Sequence, residues 1–519
     1  MRDSIEKAIK EALGTDALFV VERPRALSHG DYSTNAALVA KVDPTALADK
    51  LKIEGVERVE VAGKFINFYL SREELIPKEQ KIPQLYAGKK IMVEYTDPNP
   101  FKEFHIGHLM SNAIGEAIAR LLEVSGAKVI RANYQGDVGP HVAKALWGKM
   151  QKPERSWGEA YTYGTQEYES KKTEIDEINK KVYEKSDAQI NTLYDTGRKE
   201  SLKRFDEIYK ILGTKFDYYF FESETSPKGL ALVQKHPEVF EQSEGATVFH
   251  GSHTRVFITS RGLPTYEAKD LGLLQLKKDT ESMDESITVT ANEQSDYFSV
   301  VLAAAKKVPE ITDIAEKTKH VSHGMMRFAD SKMSSRTGNV ITGESLLQDL
   351  TKATRGREDV AVGAIKYTVL KSGSGKDIIF DPDKSLSLEG DSGPYLQYAL
   401  VRARSLLRKA KEAGIDPGEW DQDGRRSGPL GQVLPSPMVP LARVLVHFAD
   451  AVARAAKELE PHYVTTYLTE LAAAFNSWYA QEKVIGVPHQ EYGVFLAAAV
   501  ERTLSQGLHL LGIPTPEEM

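Results

Sequence analysis

The first 80 residues change from a helical to a strand pattern of apolar positions. The opening stretch, MRDSIEKAIKEALG, is charged and amphipathic, which is typical of a surface helix rather than of a signal peptide. Residues 58–62 and 65–70 are rich in β-branched and aromatic side chains and predict two strands. A stretch rich in lysine and proline follows from Ile76 to Pro83, so we interpret residues 1–80 as a first domain.

A strand–turn–helix–strand pattern begins near Lys89. Residues 91–95 predict a short strand, and residues 128–133 predict a second one. Between them, residues 108–125 carry apolar side chains at helical spacing. This β-α-β succession predicts a parallel sheet.

A charged segment over about 150–215 interrupts this pattern and predicts helices inserted between two halves of the sheet. Strand-like stretches return at 255–259 and 286–291. We therefore interpret residues 88–345 as one α/β domain with a helical insertion over about 150–245.

The chain turns helical after about residue 395. One apolar face recurs at helical spacing and consists of Leu396, Leu400, Ala403, Leu407 and Ala410. Gly414 is a plausible end of this helix, and the Gly- and Pro-rich residues 424–437 predict a loop. We interpret residues 395–519 as a helical domain and residues 346–394 as its connection to the sheet.

Composition narrows the class of protein. The 519 residues are 41% hydrophobic and 27% charged, with no apolar run long enough to span a membrane, and we expect a soluble protein without membrane partners. Because the chain has no cysteine, it forms neither disulfides nor thiolate zinc sites, which suits the cytoplasm. The net charge of −7 argues against a protein that coats nucleic acid, so any RNA contact must be local.

The sharpest chemical motif is His105-Ile-Gly-His108, placed where a strand gives way to a helix. The N-terminus of a helix offers free N–H groups and a positive dipole end, which suit phosphate. Gly107 lets a nucleotide lie close to the backbone, and the two histidines can donate hydrogen bonds to phosphate oxygens. By itself the pattern is equally typical of a capped helix that binds nothing.

A second motif is Lys332-Met-Ser-Ser-Arg336, followed by Thr337-Gly338-Asn339. A loop with two cations, hydroxyls and a glycine can close over a triphosphate and neutralise charge in the transition state. Taken alone, such a loop is more often a solvated surface segment. Paired with the histidine motif, it favours a nucleotide site.

Together these motifs resemble the HIGH and KMSKS signatures of class I aminoacyl-tRNA synthetases, and the residues around them resemble the arginyl family. The matching segments run in order along nearly the whole chain: 30–36, 62–68, 94–109, 136–139, 264–271, 388–398 and 511–519. The chain departs from the family pattern at Val138, His141, Tyr297 and Ser335.

The resemblance implies an α/β protein with three parts. These are a Rossmann-like parallel-sheet catalytic domain, an α+β N-terminal domain that touches tRNA, and an all-α C-terminal anticodon-binding bundle. It implies that residues 346–394 contact the tRNA stem. It also implies an arginine–tRNA ligase that uses ATP, with Mg²⁺ arriving on the nucleotide and no metal site of its own.

Site residues follow from the same resemblance. The residues expected to act in catalysis are Lys102, His105, His108, Lys332 and Arg336. The residues expected to bind ATP are His105, Gly107, His108, Met325, Lys332, Met333, Ser334 and Ser335. The residues expected to bind arginine are Glu94, Asn99, Tyr266, Asp270 and Gln294.

The chemistry of the residues expected to bind arginine suits that substrate. A guanidinium is a planar fork of N–H donors, so a buried carboxylate such as Asp270 can pair with it through two hydrogen bonds. Two simpler interpretations stay open. Tyr266 and Asp270, four residues apart, would also share the face of an ordinary surface helix. Glu94 could instead pair with a structural lysine at the end of its strand.

For RNA, the family points to the helical domain. Arg404, Arg408 and Lys411 predict a basic stripe opposite the apolar face, although such stripes are often merely solvated. We expect Tyr398, Arg404 and Arg408 to bind tRNA. Aromatic side chains could also stack on unpaired bases, with Tyr395, Tyr463, Tyr467, Trp478 and Tyr479 as further candidates. We expect a monomer.

Three alternatives to an active arginyl enzyme remain at this stage. They are a class I synthetase for cysteine or glutamate, an inactive paralogue that only binds tRNA, and a small nucleotidyltransferase with the same sheet. The last would leave about 120 C-terminal residues unexplained. Because polar recognition rejects wrong substrates strongly, we predict that the insertion after residue 150 is not an editing domain.

Overall fold

A computed structural model describes residues 1–15, 17–24, 26–77, 80–329, 341–416 and 436–519. The N-terminal part contains a four-stranded antiparallel sheet of order β1-β2-β4-β3. Its elements are α1 (Arg2–Leu13), β1 (Val21–Glu22), β2 (Tyr32–Thr34), α2 (Ala36–Ala40), α3 (Pro44–Ala48), β3 (Val56–Ala62) and β4 (Phe65–Leu70). The predicted helix and the two predicted strands are thus confirmed.

The centre of the molecule is a parallel five-stranded sheet of order β12-β11-β5-β6-β7, as the β-α-β pattern predicts. Its strands are β5 (Lys90–Glu94), β6 (Lys128–Gln135), β7 (Tyr218–Phe221), β11 (Glu285–Ala291) and β12 (Thr318–His323). Ile91, Met92 and Val93 are almost fully buried because both faces of the sheet are covered. The carboxyl ends of the parallel strands meet at one edge.

Helices surround this sheet. Between β5 and β6 runs α4 (Ile106–Val124), and between β6 and β7 run α5 (Pro140–Gln151), α6 (Trp157–Gln166), α7 (Tyr168–Glu184) and α8 (Ala188–Leu212). The later helices are α9 (Glu222–Lys235), α10 (Tyr266–Thr280), α11 (Ser295–Ala305) and α12 (Thr312–Lys317). Helix α4 buries most of its length, including Ile118 and Leu121, and forms the central layer of the core.

Two features of this region differ from the sequence-based interpretation. Strand β7 belongs to the parallel sheet although it lies within the segment interpreted as a helical insertion. Residues 255–259 were expected in the parallel sheet, but β10 (Thr254–Ile258) instead pairs antiparallel with β9 (Ala246–His250) and, through it, with β8 (Glu241–Ser243). Local alternation identified the strand, but it does not specify the partner of a strand.

The chain then continues through β13 (Met326–Phe328), α13 (Gly343–Ala353), α14 (Glu358–Leu370), β14 (Ile378–Phe380) and α15 (Pro382–Ser385). A helical bundle follows, with α16 (Gly393–Glu412), α17 (Val439–Leu445), α18 (Phe448–Glu458), α19 (His462–Gln481) and α20 (Gln490–Leu510). Helix α16 begins where the Ser392 hydroxyl accepts the Tyr395 N–H at 3.0 Å. It ends just before Gly414, whose φ of 72° suits the predicted stop.

The bundle also contacts the N-terminal sheet. The Tyr32 hydroxyl donates to Asp450 at 2.8 Å, and the Arg443 guanidinium pairs with the buried Asp31 at 2.6 Å. Among the described residues, no helix is both long and apolar enough to cross a membrane.

The contact that positions α10 depends on two glycines. A Cβ at Gly229 would lie 1.8 Å from the Ala268 carbonyl oxygen, and one at Gly272 would lie 2.1 Å from the Thr225 carbonyl oxygen. Helices α9 and α10 therefore touch backbone to backbone. This contact fixes the helix that carries Tyr266 and Asp270.

We predict that Gly229→Ala lowers the free energy of unfolding by about 1–3 kcal/mol, because the added methyl group must separate two backbones in a packed core. Denaturant unfolding followed by circular dichroism measures this loss. The matched control is Ala231→Ser, which adds one atom on the exposed side of the same helix. Its expected change is within about 0.5 kcal/mol. Equal stability of the two variants would contradict the close contact.

Candidate active site

The two histidines of the sequence motif lie at the N-terminus of α4. Their rings stack with centroids 4.1 Å apart, and His108 Nδ1 accepts the His105 backbone N–H at 3.2 Å. Because Nδ1 is an acceptor, the proton of a neutral His108 ring is on Nε2, where it can be donated outward. Burial, His105 and Lys102 hold the pKa of His108 well below its usual range, and burial and Lys102 lower the pKa of His105. The pair therefore consists of neutral donors.

The surroundings of this pair suit a nucleotide. A Cβ at Gly107 would meet nothing within 4 Å, so the backbone faces open space there. Lys102 Nζ lies 4.9 Å from the centroid of the Tyr161 ring and adds positive charge beside the histidines. His105 also forms an isolated β-bridge with Thr342. The predicted residues Lys332, Met333, Ser334, Ser335 and Arg336 lie outside the described residues.

A constrained loop connects β5 to the histidines. Thr96, Asp97 and Phe101 have positive φ values of 80°, 46° and 70°. Non-glycine residues rarely adopt this conformation, at a cost of about 1–3 kcal/mol each. Hydrogen bonds hold them there: Thr96 N–H donates to Ser111 Oγ at 2.9 Å, and Asp97 Oδ1 accepts the Tyr134 N–H at 2.7 Å. The loop is thus held in one shape.

Four acidic side chains gather around the carboxyl ends of β5 and β6, and we call Glu94, Asp97, Glu222 and Asp270 the carboxylate cluster. Glu94 pairs with Lys277 at 2.9 Å, and both are almost fully buried. Glu222 pairs with the buried Lys269. Among the described residues, neither Asp97 nor Asp270 has an ion-pair partner. The cluster therefore carries two carboxylates in excess of its lysines.

The pKa values of the two unpaired acids reflect this excess. Burial raises the pKa of Asp270 to about 7, although its hydrogen bond from the Tyr297 hydroxyl at 2.7 Å acts in the opposite direction. Burial and the neighbouring Glu94 also raise the pKa of Asp97 well above its usual range. Both acids would be stabilised as carboxylates by an incoming cation.

The other residues predicted to bind the substrate arginine differ in their exposure and in their contacts. Tyr266, the first residue of α10, is 57% exposed, and its ring centroid lies 5.1 Å from Lys269 Nζ. Asn99 packs so closely on Gly136 that a Cβ there would lie 2.3 Å from Asn99 Oδ1. Gln294 is exposed on a short 3₁₀ turn after β11. Met325, expected to bind ATP, is half-exposed, and its N–H donates to Asp377 at 2.9 Å.

The structure bears on the two simpler interpretations of Glu94 and of Asp270. Glu94 does pair with a lysine, as its alternative stated, but the pair is inside the cluster rather than on the surface. Asp270 faces the protein interior and contacts Tyr297, so α10 is not an ordinary surface helix at this position. Tyr297, a departure from the family pattern, thereby has a defined contact.

Sequence reasoning missed several residues of the site. Asp97 and Lys269 lie in the matching segments 94–109 and 264–271 but were assigned no role, and Lys277 and Glu222 lie in none of those segments. The position of Asp97 directly after a buried strand could have singled it out, because strand ends in parallel sheets carry functional groups. The lysine pairs are long-range contacts that no local pattern marks.

The residues of the helical bundle that are predicted to bind RNA differ in their surroundings. Arg408 is exposed. Tyr398 lies beside Arg402, whose guanidinium carbon is 4.7 Å from the Tyr398 ring centroid and 5.5 Å from that of Tyr479. Tyr467 and Trp478 are buried in the bundle core.

Arg404, which is expected to bind tRNA, makes several contacts within the protein. Its side chain is only 15% exposed and pairs with Glu501 at 3.0 Å. Its guanidinium also donates to the carbonyl oxygens of Thr515 and Pro516 at 3.2 and 2.9 Å. Arg404 holds the C-terminal residues against α16, because the chain end returns across this part of the predicted stripe.

Comparison with known proteins gives the same picture along the whole chain. Residues 1–70 match the arginyl-tRNA synthetase N-terminal domain, residues 72–381 the catalytic domain of class I (R) tRNA synthetases, and residues 396–519 the DALR anticodon-binding domain. The arginine–tRNA ligase of Clostridium botulinum is 30% identical, with 96% of each chain covered. That of Clostridium kluyveri is 29% identical, with 98% of each covered.

Solved structures agree. Thermus thermophilus arginyl-tRNA synthetase superposes with a TM-score of 0.83 at 28% identity and full coverage of both chains. The Plasmodium falciparum arginyl-tRNA synthetase shares the fold, with a TM-score of 0.78 at 20% identity, covering 100% of this chain and 98% of that one. With the histidine pair, the carboxylate cluster and three matching domains in order, the chain belongs to the arginyl-tRNA synthetases, the class I ligases that join arginine to tRNA.

Proposed function

We propose that this chain activates L-arginine with ATP in the site formed by the carboxylate cluster and the His105–His108 pair, and then transfers arginine to the 3′ end of its tRNA. The observation that carries the proposal is that the carboxyl groups of Asp97 and Asp270 have no cationic partner among the described residues. A buried carboxylate without a cation is costly, and the arginine side chain supplies the missing charge together with a fork of donors. The constrained loop links this cluster directly to the phosphate end.

In the first step, the arginine carboxylate attacks the α-phosphorus of ATP, and the bond to the β-phosphate breaks to release pyrophosphate. The nucleophile is already ionised, so no general base is required. Catalysis comes from in-line positioning and from donors and cations aimed at the phosphorus. We assign the donors to His105 and His108, and the cations to Lys102, Lys332 and Arg336.

The remaining contacts belong to the same proposal. ATP lies against Gly107, Met325 and residues 333–335, with Mg²⁺ bound to its phosphates rather than to protein ligands. Asp270, Asp97 and Asn99 form hydrogen bonds with the arginine side chain. Tyr266 and Gln294 close the pocket around it. Glu94 orients the pocket through its pair with Lys277. In the second step, a ribose hydroxyl of the terminal adenosine attacks the arginyl carbonyl and releases AMP. We further propose a cytoplasmic monomer without an editing site.

The direct test is Asp270→Asn, which keeps the shape of the side chain and removes its charge. We expect kcat/KM for arginine to fall by at least about 100-fold, because a charged hydrogen-bonded pair contributes about 1.5–3 kcal/mol and the buried partner is left unpaired. The measurement is arginine attachment to bulk tRNA, and the KM for ATP should change little.

The matched control is Asp279→Asn, about two and a half turns further along the same helix. Asp279 is exposed and pairs with Lys228 at 3.0 Å, so its loss should leave both KM values unchanged. A wild-type chain that binds tRNA but attaches no arginine would refute the proposed function. Equal activity of Asp270→Asn and wild type would refute the assignment of the cluster.

The titration of Asp270 gives a prediction for pH dependence. Since the guanidinium stays protonated and needs an ionised partner, kcat/KM for arginine should rise as pH increases through about 7, the raised pKa of Asp270. Tyr297→Phe removes a hydrogen bond that lowers this pKa, so the rise should move to higher pH. Steady-state kinetics from pH 5.5 to about 9 check the shift. Identical profiles for both proteins would exclude Asp270 as the titrating group.

We also propose that Tyr398 and Arg408 contact tRNA on the surface of the bundle, with Arg402 and Tyr479 beside Tyr398. Tyr398→Ala should raise the KM for tRNA about fivefold or more, because stacking on one base contributes about 1–3 kcal/mol. The KM values for ATP and arginine should not change in the same assay. Lys319→Ala, an exposed lysine at the start of β12 that is assigned no tRNA contact, is the control. An unchanged KM for tRNA in Tyr398→Ala would exclude this contact.

A further inference from the structure

The C-termini of two distant helices meet beside α4. Helix α8 ends at Leu212 and α20 ends at Leu510. A glycine with positive φ follows each end, Gly213 at 67° and Gly512 at 65°. The last carbonyl groups of a helix lack partners within the helix and carry its negative dipole end. Two such ends side by side suit hydrogen-bond donors between them.

Two basic side chains lie between these ends, and each of them donates hydrogen bonds to both. Arg120 donates to the carbonyl oxygens of His509 at 2.8 Å and Gly213 at 3.0 Å. Lys366 Nζ donates to those of Leu212 at 2.7 Å and Gly512 at 2.9 Å. Lys366 is 1% exposed, so these carbonyls replace its water. The insertion, the connection and the helical bundle thus meet at one buried junction.

The junction continues along α4 to the constrained loop. Arg120 Nε donates to Glu116 Oε1 at 2.7 Å, and Glu116 accepts the hydroxyl of Tyr95. Tyr95 is fully buried and packs on Gly115, where a Cβ would lie 2.2 Å from the ring. Tyr95 directly precedes Thr96 and Asp97, the first two residues of the loop with positive φ.

A second line of contacts runs parallel to the first. Thr214, next to Gly213, donates from Oγ1 to Asn112 Oδ1 at 3.1 Å. Asn112 in turn donates from Nδ2 to Thr96 Oγ1 at 3.0 Å. Both lines pass through side chains of α4, and both end on the loop that carries Asp97 and Asn99.

We propose that Arg120 and Glu116 are positioning residues for arginine activation, which couple the seating of the last helix of the bundle to the shape of the loop after β5. Neither residue belongs to the carboxylate cluster or to the residues assigned to ATP. The inference rests on the proposed function, since it takes this loop as part of the arginine site.

The test is a double-mutant cycle on the full chain with Tyr95→Phe and Arg120→Lys. The first variant removes one hydroxyl, and the second keeps the charge but cannot reach three acceptors at once. Arginine-dependent exchange of pyrophosphate into ATP, with tRNA present, gives kcat and KM. We expect each single variant to lower kcat/KM for arginine about tenfold, mainly through KM, and the double variant to be little worse than either.

The control is the same cycle with Arg357→Lys in place of Arg120→Lys. Arg357 also donates to a C-terminal carbonyl, that of Glu518 at 2.8 Å, but within the part of the chain that the structure describes its hydrogen bonds go to Asp359 and Glu518 and not to α4. The effects of Arg357→Lys and Tyr95→Phe on kcat/KM for arginine should multiply, as expected for two residues that act independently. A merely structural role for Arg120 would lower the melting temperature and leave the KM for arginine unchanged.

The proposal is overturned if Tyr95→Phe and Arg120→Lys act independently, or if folded Arg120→Lys keeps the wild-type KM. Should Arg120→Lys fail to fold by circular dichroism, Glu116→Gln replaces it, and the same two outcomes decide. Wild-type protein without arginine-dependent exchange would instead refute the proposed function, and this inference with it.

Discussion

Buried negative charge at the carboxyl edge of the parallel sheet is the constraint to which the rest of the site is adapted. The protein neutralises Glu94 and Glu222 with its own lysines, but among the residues that the structure describes the side chains of Asp97 and Asp270 each accept a single hydrogen bond from a neutral group. A carboxylate in such a place stays ionised less readily, as the raised pKa of both acids indicates. The site is therefore complementary to a cation before one arrives.

Holding like charges close together requires a rigid frame. The frame combines strand ends, glycine contacts that bring backbones together, and a loop with three residues at positive φ. Hydrogen bonds from or to Ser111, Tyr134 and Ser201 offset the strain of that loop. The free-energy cost of bringing these acids together is offset when the protein folds. The acids therefore do not have to rearrange when the substrate binds, which is the general advantage of a preorganised polar site.

The sequence predicts those parts of the molecule that local periodicity determines. The central β-α-β unit, the N-terminal strands and the first helix of the bundle follow from spacing, and the histidine motif marks the start of α4. Strand β7, with the sequence Tyr218-Tyr-Phe-Phe221, was missed because four residues show no alternation. Strand β10 was found but given the wrong sheet, since pairing is a long-range property.

Within the site, prediction failed where a residue's partner is distant along the chain. Lys277 is 183 positions beyond Glu94, and no pattern around either residue announces the pair. The contacts of Arg404 with the chain end were not predicted for the same reason. A charged stripe opposite an apolar face looks solvated or RNA-binding until the chain end is seen to cover it. Motifs identified the chemistry, but only the fold assigns each charge a partner.

The insertion after β6 illustrates how a segment can serve the site without chemistry of its own. Phe101, the last residue of the loop with positive φ, packs edge-on against Trp157 at 5.2 Å between centroids, and its N–H donates to Ser201 Oγ at 3.0 Å. A Cβ at Gly197 would lie 2.4 Å from Phe101 and 2.5 Å from Trp157. Helices α6 and α8 therefore hold the far end of the loop that bears Asp97. Under the proposed function, discrimination against lysine arises from the fork of hydrogen bonds that lysine cannot make, and a segment that stabilises this geometry would contribute to selectivity without an editing reaction of its own.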